Sequence, residues 1–142
     1  MFATAATSHT SSAFTNAYRQ VGVQTGVDSA SAHQLVLMLL DGFQDSVAQA
    51  RGAIAVGEIQ AKGRAIGRAA RIVEEGLKAC LNLEAGGALA ADLNALYAYV
   101  GVRLTQANLS NDLATLEECG RLLEPVRSAW AAIGPQVASA RQ

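Results

Sequence analysis

The stretch from Leu93 to Glu118, LNALYAYVGVRLTQANLSNDLATLEE, decides the fold of this 142-residue chain. Leu89, Leu93, Leu96, Val100, Leu104 and Ala107 recur at spacings of three and four, the period that lines one face of an α-helix. The pattern stops at Asn-Leu-Ser-Asn-Asp. Asn108 is of a type that tolerates the left-handed conformation closing a helix, and Ser110, Asn111 or Asp112 can accept a hydrogen bond from the unpaired N–H groups that open the next one. A helix that stops and restarts within so few residues makes two antiparallel neighbours.

The same reading extends outward in both directions. Downstream, a helix starting near Asp112 carries Leu116, Cys119, Leu123, Val126, Trp130, Ile133 and Val137, with Pro125 predicting a bend over 121–125 because it deletes a backbone hydrogen bond. Upstream, Glu84-Ala85-Gly86-Gly87 breaks the pattern. Before it a helix from about Glu58 to Leu83 sets the stripe Ile59, Ile66, Ala69 or Ala70, Val73, Leu77 and Leu81 against Lys62, Arg64, Arg68, Arg71, Glu75 and Lys78, read as a solvated face. Ser31-Ala32-His33-Gln34 reads as a capping box opening the first helix, whose stripe is Val36, Leu40, Phe43, Val47, Ala50 and Ile54 and whose end is Gly57. His33 is then expected in the solvated first turn. Short connections make the whole an all-α, antiparallel up-down four-helix bundle over residues 31–142.

Composition agrees. Half the residues are hydrophobic (51%) but only 5% aromatic, and there are two prolines, a balance that suits closely packed helices. Eleven basic against twelve acidic side chains leave a formal charge of −1, without the basic footprint of a nucleic-acid binder. Cys80 and Cys119 fall on apolar helix faces with no metal-type spacing and read as reduced core residues. Neither His9 nor His33 has a glutamate at the spacing of a carboxylate-bridged metal pair, and Gly86-Gly87 lacks the strand and lysine of a phosphate cradle. No nucleophile arrangement is present either, so neither an enzyme nor a metal or cofactor protein is expected. The amino terminus lacks a secretory signal and no apolar run reaches the ~20 residues that cross a bilayer, which points to the cytoplasm without membrane insertion.

Residues 1–30 form a flexible amino-terminal segment, in which Phe14, Tyr18, Val21 and Val23 are spaced to lie as a strap, an intramolecular cap over an apolar groove. The need for a cap comes from Leu35-Val36-Leu37-Met38-Leu39-Leu40, six apolar residues that point all round a helix. One bundle face does not hide them all, so either irregular packing on several sides of the helix buries the run or something further covers what is left. The strap, a second copy of the chain or an apolar client helix would cover the remainder, and Met38 is adaptable enough for an imperfect partner.

Four motifs in order then resemble the flagellar secretion chaperone family FliS: AY-x4-V-x-T at Ala17, Tyr18, Val23 and Thr25; SAS-x3-LV-x-ML-x-DG from Ser29 to Gly42; LY-x-Y at Leu96, Tyr97 and Tyr99; and RL-x-x-ANL-x-ND from Arg103 to Asp112. The resemblance covers about residues 17–130. It departs at Ala32, where the family commonly has proline, and at Leu40, where an aromatic usually precedes Asp-Gly. It implies a helical bundle that binds the apolar carboxy-terminal helices of flagellin, prevents their premature polymerisation and delivers the client to the flagellar type III export system. It also implies an amino-terminal segment that occupies part of the groove when the client is absent. The candidate groove residues are Leu35, Met38, Leu39, Leu40, Phe43, Tyr97, Leu104, Ala107 and Leu109. An export-gate component and, in the client-free state, a second copy of the chain are further candidate partners. The competing reading is a helical adaptor or anti-sigma-type regulator whose partner is not flagellin.

Overall fold

A computed structural model describes the backbone of residues 29–141 and the side chains of residues 32–133. Among these residues four helices follow one another: α1 (Ser29–Ala55), α2 (Ile59–Arg71) continued by a π-helical segment (Ile72–Lys78), α3 (Leu83–Ser110) and α4 (Leu113–Arg141). There is no strand among the described residues. α1 packs against α2, the π segment and α4, and α3 against the same three, so α1 and α3 sit diagonally across the core. The expected antiparallel four-helix bundle is what the chain forms. The amino-terminal strap and Phe14, Tyr18, Val21 and Val23 lie outside the described residues.

Local chemistry sets each reversal. Gly57 adopts φ +75°, and the Glu58 N–H donates to Ala53 O at 2.9 Å, closing α1 in the manner of a Schellman turn. The Asn82 side chain accepts from Ala85 N at 3.0 Å to open α3, so the reversal lies at 79–82, before the glycine pair expected to make it, and Gly87 (φ 56°, ψ −137°) kinks the new helix instead. At the third joint the left-handed residue is Asn111 (φ 52°), not Asn108. Asp112 caps α4, its Oδ1 accepting from Thr115 N at 3.3 Å and its Oδ2 from the Thr115 hydroxyl at 2.8 Å, so the residue just before it must make the turn. Those two bonds hold the Asp112 carboxyl below the usual carboxylate range.

The core is Val36, Leu40, Phe43, Val47 and Ala50 of α1, Ile66, Ala69, Val73 and Leu77 of the second helix, Leu93, Tyr97, Val100, Leu104 and Ala107 of α3, and Leu116, Cys119, Leu123 and Ile133 of α4. Residues 69, 73, 77 and 81 are four apart, and on a regular α-helix such a stripe drifts by about 40° per step. The wider π turn counteracts that drift and keeps Val73 and Leu77 fully buried. It also lets Gly76 approach α1, where an added Cβ would lie 3.0 Å from a Leu39 methyl. The second helix therefore changes character at Ile72 instead of running evenly to Leu83.

Further expectations need correction. α1 starts at Ser29, so Ser31 is inside it and His33 lies beyond the first turn. His33 is buried at 8% exposure, its ring stacked on Trp130 with centroids 4.9 Å apart. Its Nε2 lies 2.7 Å from Trp130 O, while Trp130 Nε1 donates to His33 O at 2.9 Å. Lys62, expected on the solvated face, is only 4% exposed. It stands one turn before Ile66 on the apolar side, its stem covers the core, and its Nζ donates to Asn108 O at 2.7 Å, among the last carbonyls of α3. Ile59, expected in the core, is exposed at the open end of the bundle. Where the bend over 121–125 is expected, the helical assignment of α4 is uninterrupted, and Pro125 and Arg121 are both on the exposed side, where water can satisfy the carbonyl that proline leaves unpaired. Cys80 and Cys119 are free thiols; burial raises the pKa of the first and pushes that of Cys119 to about 11.

Candidate functional site

Every buried side-chain N or O atom among the described residues has a hydrogen-bond partner, and no group of three His, Cys, Asp or Glu is placed to hold a metal. None of the described helices is long and apolar enough to cross a membrane. The unusual chemistry lies on the outer surface.

α3 is apolar on both sides. Its inner stripe, from Ala90 to Ala107, is in the core. Its outer stripe repeats every seven residues at Ala88, Ala95, Val102 and Leu109, with Ala91, Ala98 and Thr105 between them, the a and d positions of a heptad. All seven are exposed except Ala98, which is half-buried; Val102 is 57% and Leu109 80% exposed. Such a seam is what a helix shows when another helix is to lie along it, and its alanines allow a close approach. A helix that is apolar all round is normally covered by something.

The borders of this face are polar and internally neutralised. On the α4 side Arg103 Nε donates to Glu118 Oε1 at 2.8 Å and the Tyr99 hydroxyl donates to Glu118 Oε2 at 2.9 Å. The Arg103 guanidinium and then the Tyr99 hydroxyl hold the Glu118 carboxyl below its ordinary range, and the bond to Glu118 raises the Tyr99 phenol. Glu74, bordering the other side near Gly101, pairs with Lys78 at 3.6 Å. An apolar centre between compensated polar margins is the anatomy of an interface.

The stripe continues onto one end of the bundle. The α1–α2 and α3–α4 turns are at the same end, tied by the bond from Lys62 to Asn108 O. Val56, Ile59, Leu109 and Leu113 are all exposed there. Of the residues singled out from sequence, Leu40, Phe43, Tyr97, Leu104 and Ala107 are fully buried core, and Leu35 and Leu39 are half-buried against it. Met38, 69% exposed, and Leu109 are open to solvent. They are not brought together, since α1 and α3 are diagonal. Leu35 to Leu40 is thus mostly absorbed because α1 has three neighbours, and the larger uncovered apolar surface is on α3. Sequence reasoning misses Ala95 and Val102 as surface candidates, and the signal that could have found them is the second seven-residue repeat, offset from the core stripe; Tyr99, on the border, lies outside that repeat.

Known proteins resemble this chain over most of its length. Residues 14–137 match the family model described as Flagellar protein FliS. The chain is 45% identical over 120 residues to the flagellar secretion chaperone FliS of Salmonella typhimurium, covering 84% of this chain and 89% of that protein. It is 42% identical over 113 residues to the flagellar secretion chaperone FliSB of Pseudomonas aeruginosa, covering 80% and 89%. Over 107 residues it is 33% identical to the flagellar secretion chaperone FliS of Bacillus subtilis, covering 75% and 78%.

Proposed function

The chain belongs to the FliS family of flagellar secretion chaperones, and on that premise we propose that its client is flagellin, held through the apolar carboxy-terminal helices of that protein. The observation that carries this reading is the exposed heptad of α3 from Ala88 to Leu109. A client helix laid along it covers its own apolar face with a surface of small residues, and that face is then unavailable for assembly with other flagellin molecules. Burying a valine or leucine fully contributes about 1.5–3 kcal/mol, so Val102 and Leu109 are the natural anchors. The open end formed by Val56, Ile59 and Leu113 extends the same surface for a client longer than one helix.

The polymerisation block is steric: the client segment is occupied in the cytoplasm and released at the flagellar type III export system. In the client-free chaperone, the segment carrying Phe14, Tyr18, Val21 and Val23 covers part of the client surface and leaves when the client arrives. Size-exclusion chromatography of the chain mixed with intact flagellin, and with flagellin lacking its carboxy-terminal helices, tests the proposal. Co-elution with intact flagellin alone is expected. Equal co-elution with the truncated form would place the interaction elsewhere on the client.

A further inference from the structure

α2 carries Lys62, Arg64, Arg68 and Arg71 and no acidic residue from Ile59 to Arg71, in a chain of formal charge −1. On the other helices Arg51 pairs with Glu117, Arg103 with Glu118, and Arg127 with Asp41 and Glu124. The α2 arginines are treated differently. Arg68 donates from Nε to Ser46 Oγ at 2.8 Å and from Nη2 to Gln49 Oε1 at 3.2 Å, both neutral acceptors. Its guanidinium is held in place while its charge stays uncompensated. Arg64 and Arg71, one turn to either side on the same outer face, are exposed. With Gln49, Gly63 and Gly67, the three arginines line an open cleft of about 500 Å³. There is empty space where a side chain on Gly63 would be, so the main chain of a visitor can come close.

We propose that this cleft docks an acidic segment of a protein partner, its carboxylates bridging Arg64, Arg68 and Arg71. Those arginines span about 10 Å of helix, room for two or three carboxylates presented from one face of a partner helix. Exposed Glu58 and Glu75 lie beyond the two ends of the stripe and would repel a polyanion running past it. With the net charge of −1, that favours a short acidic segment over nucleic acid. Residues 1–28 contain Asp28 as their sole acidic side chain and residues 134–142 contain none, so neither stretch carries such an acidic segment. The stripe is on the helix beside α3, so the site stands independently of which client α3 carries.

Fluorescence anisotropy with the full chain tests this, using a labelled helical peptide that bears glutamates at i, i+4 and i+7 and a glutamine counterpart. The acidic peptide is expected to bind at low salt and the glutamine peptide not to. Arg64→Gln with Arg71→Gln should weaken binding by about tenfold with an unchanged melting curve, because both side chains are exposed. Arg121→Gln, which removes an exposed charge on α4, should leave it unchanged. Absence of peptide binding, or an equal loss in Arg121→Gln, overturns the inference. Tighter binding of a single-stranded oligonucleotide of equal charge would make the cleft a nucleic-acid site. Self-association abolished by the double variant would make a second copy the occupant, and either result overturns the proposal.

Discussion

Leu104 and Leu109 are five residues apart on one helix, and substituting each by alanine separates what holds the bundle from what meets a client. Leu104 is fully buried in the cluster that includes Val100, Ala107, Leu116 and Cys119, whereas Leu109 is 80% exposed. Leu104→Ala leaves a cavity among close-packed helices and should cost about 2–5 kcal/mol. At about 4 °C per kcal/mol for a domain of this size, the melting temperature falls by about 8–20 °C. Leu109→Ala removes atoms already in water and should stay within about 0.5 kcal/mol of the parent. Against a flagellin carboxy-terminal fragment the order reverses: losing an anchor worth about 1.5 kcal/mol weakens binding about tenfold. Urea unfolding followed by circular dichroism gives the first quantity, and calorimetric titration of the folded proteins gives the second. If Leu109→Ala unfolds as easily as Leu104→Ala, the outward face of α3 is structural. Should Leu109→Ala and Val102→Asp both bind the fragment like the parent, the client does not lie along that heptad.

Lys62→Met keeps the apolar stem and deletes the ammonium that donates to Asn108 O; it should destabilise the bundle by about 1–3 kcal/mol in urea unfolding, and parent-like stability would mean that the stem alone matters. The carboxyls of Asp112, Glu118 and Glu124 are all held below their ordinary values, by Thr115, Arg103 and Arg127 respectively. Their contribution is therefore complete above the unfolded-state values near pH 4 and is lost as pH falls through the lower folded-state values. Thermal melts between about pH 6 and pH 2 should decline mainly below about pH 4, and Asp112→Asn should flatten that decline; an unaltered slope would remove Asp112 from the account.

The helices and most of the core are legible in the sequence because an apolar stripe at spacings of three and four matches the turn of a helix and not the alternation of a strand. Val36, Leu40, Phe43 and Val47 are buried as their period requires, and Gly57 and Gly87 turn where no side chain opposes a positive φ. What escapes a reading of single helices is decided between them. The charge of Lys62 points to solvent, but its position beside Ile66 and the carbonyl waiting on α3 determine where it goes. The place of His33 near a helix start suggests exposure, whereas its environment is set by Trp130, distant in sequence. Two asparagines compete for the third turn, and the cap made by Asp112 chooses between them. The outer heptad of α3 is masked by the stronger inner stripe on the same helix. The six-residue run of α1 stands out because it is continuous, yet three packing neighbours account for nearly all of it.

The stacked pair of His33 and Trp130 has a practical side. Trp130 is the chain's sole indole, and its ring is pressed against the early turns of α1, where residues 1–28 join the bundle. Indole emission shifts to longer wavelength when the ring moves from a packed interior into water. The unlabelled protein thus carries an optical gauge of whether the entrance to α1 remains seated on α4. Followed through a flagellin titration or a stopped-flow mixing experiment, its colour would tell in real time whether loading a client disturbs that end of the molecule or leaves it untouched.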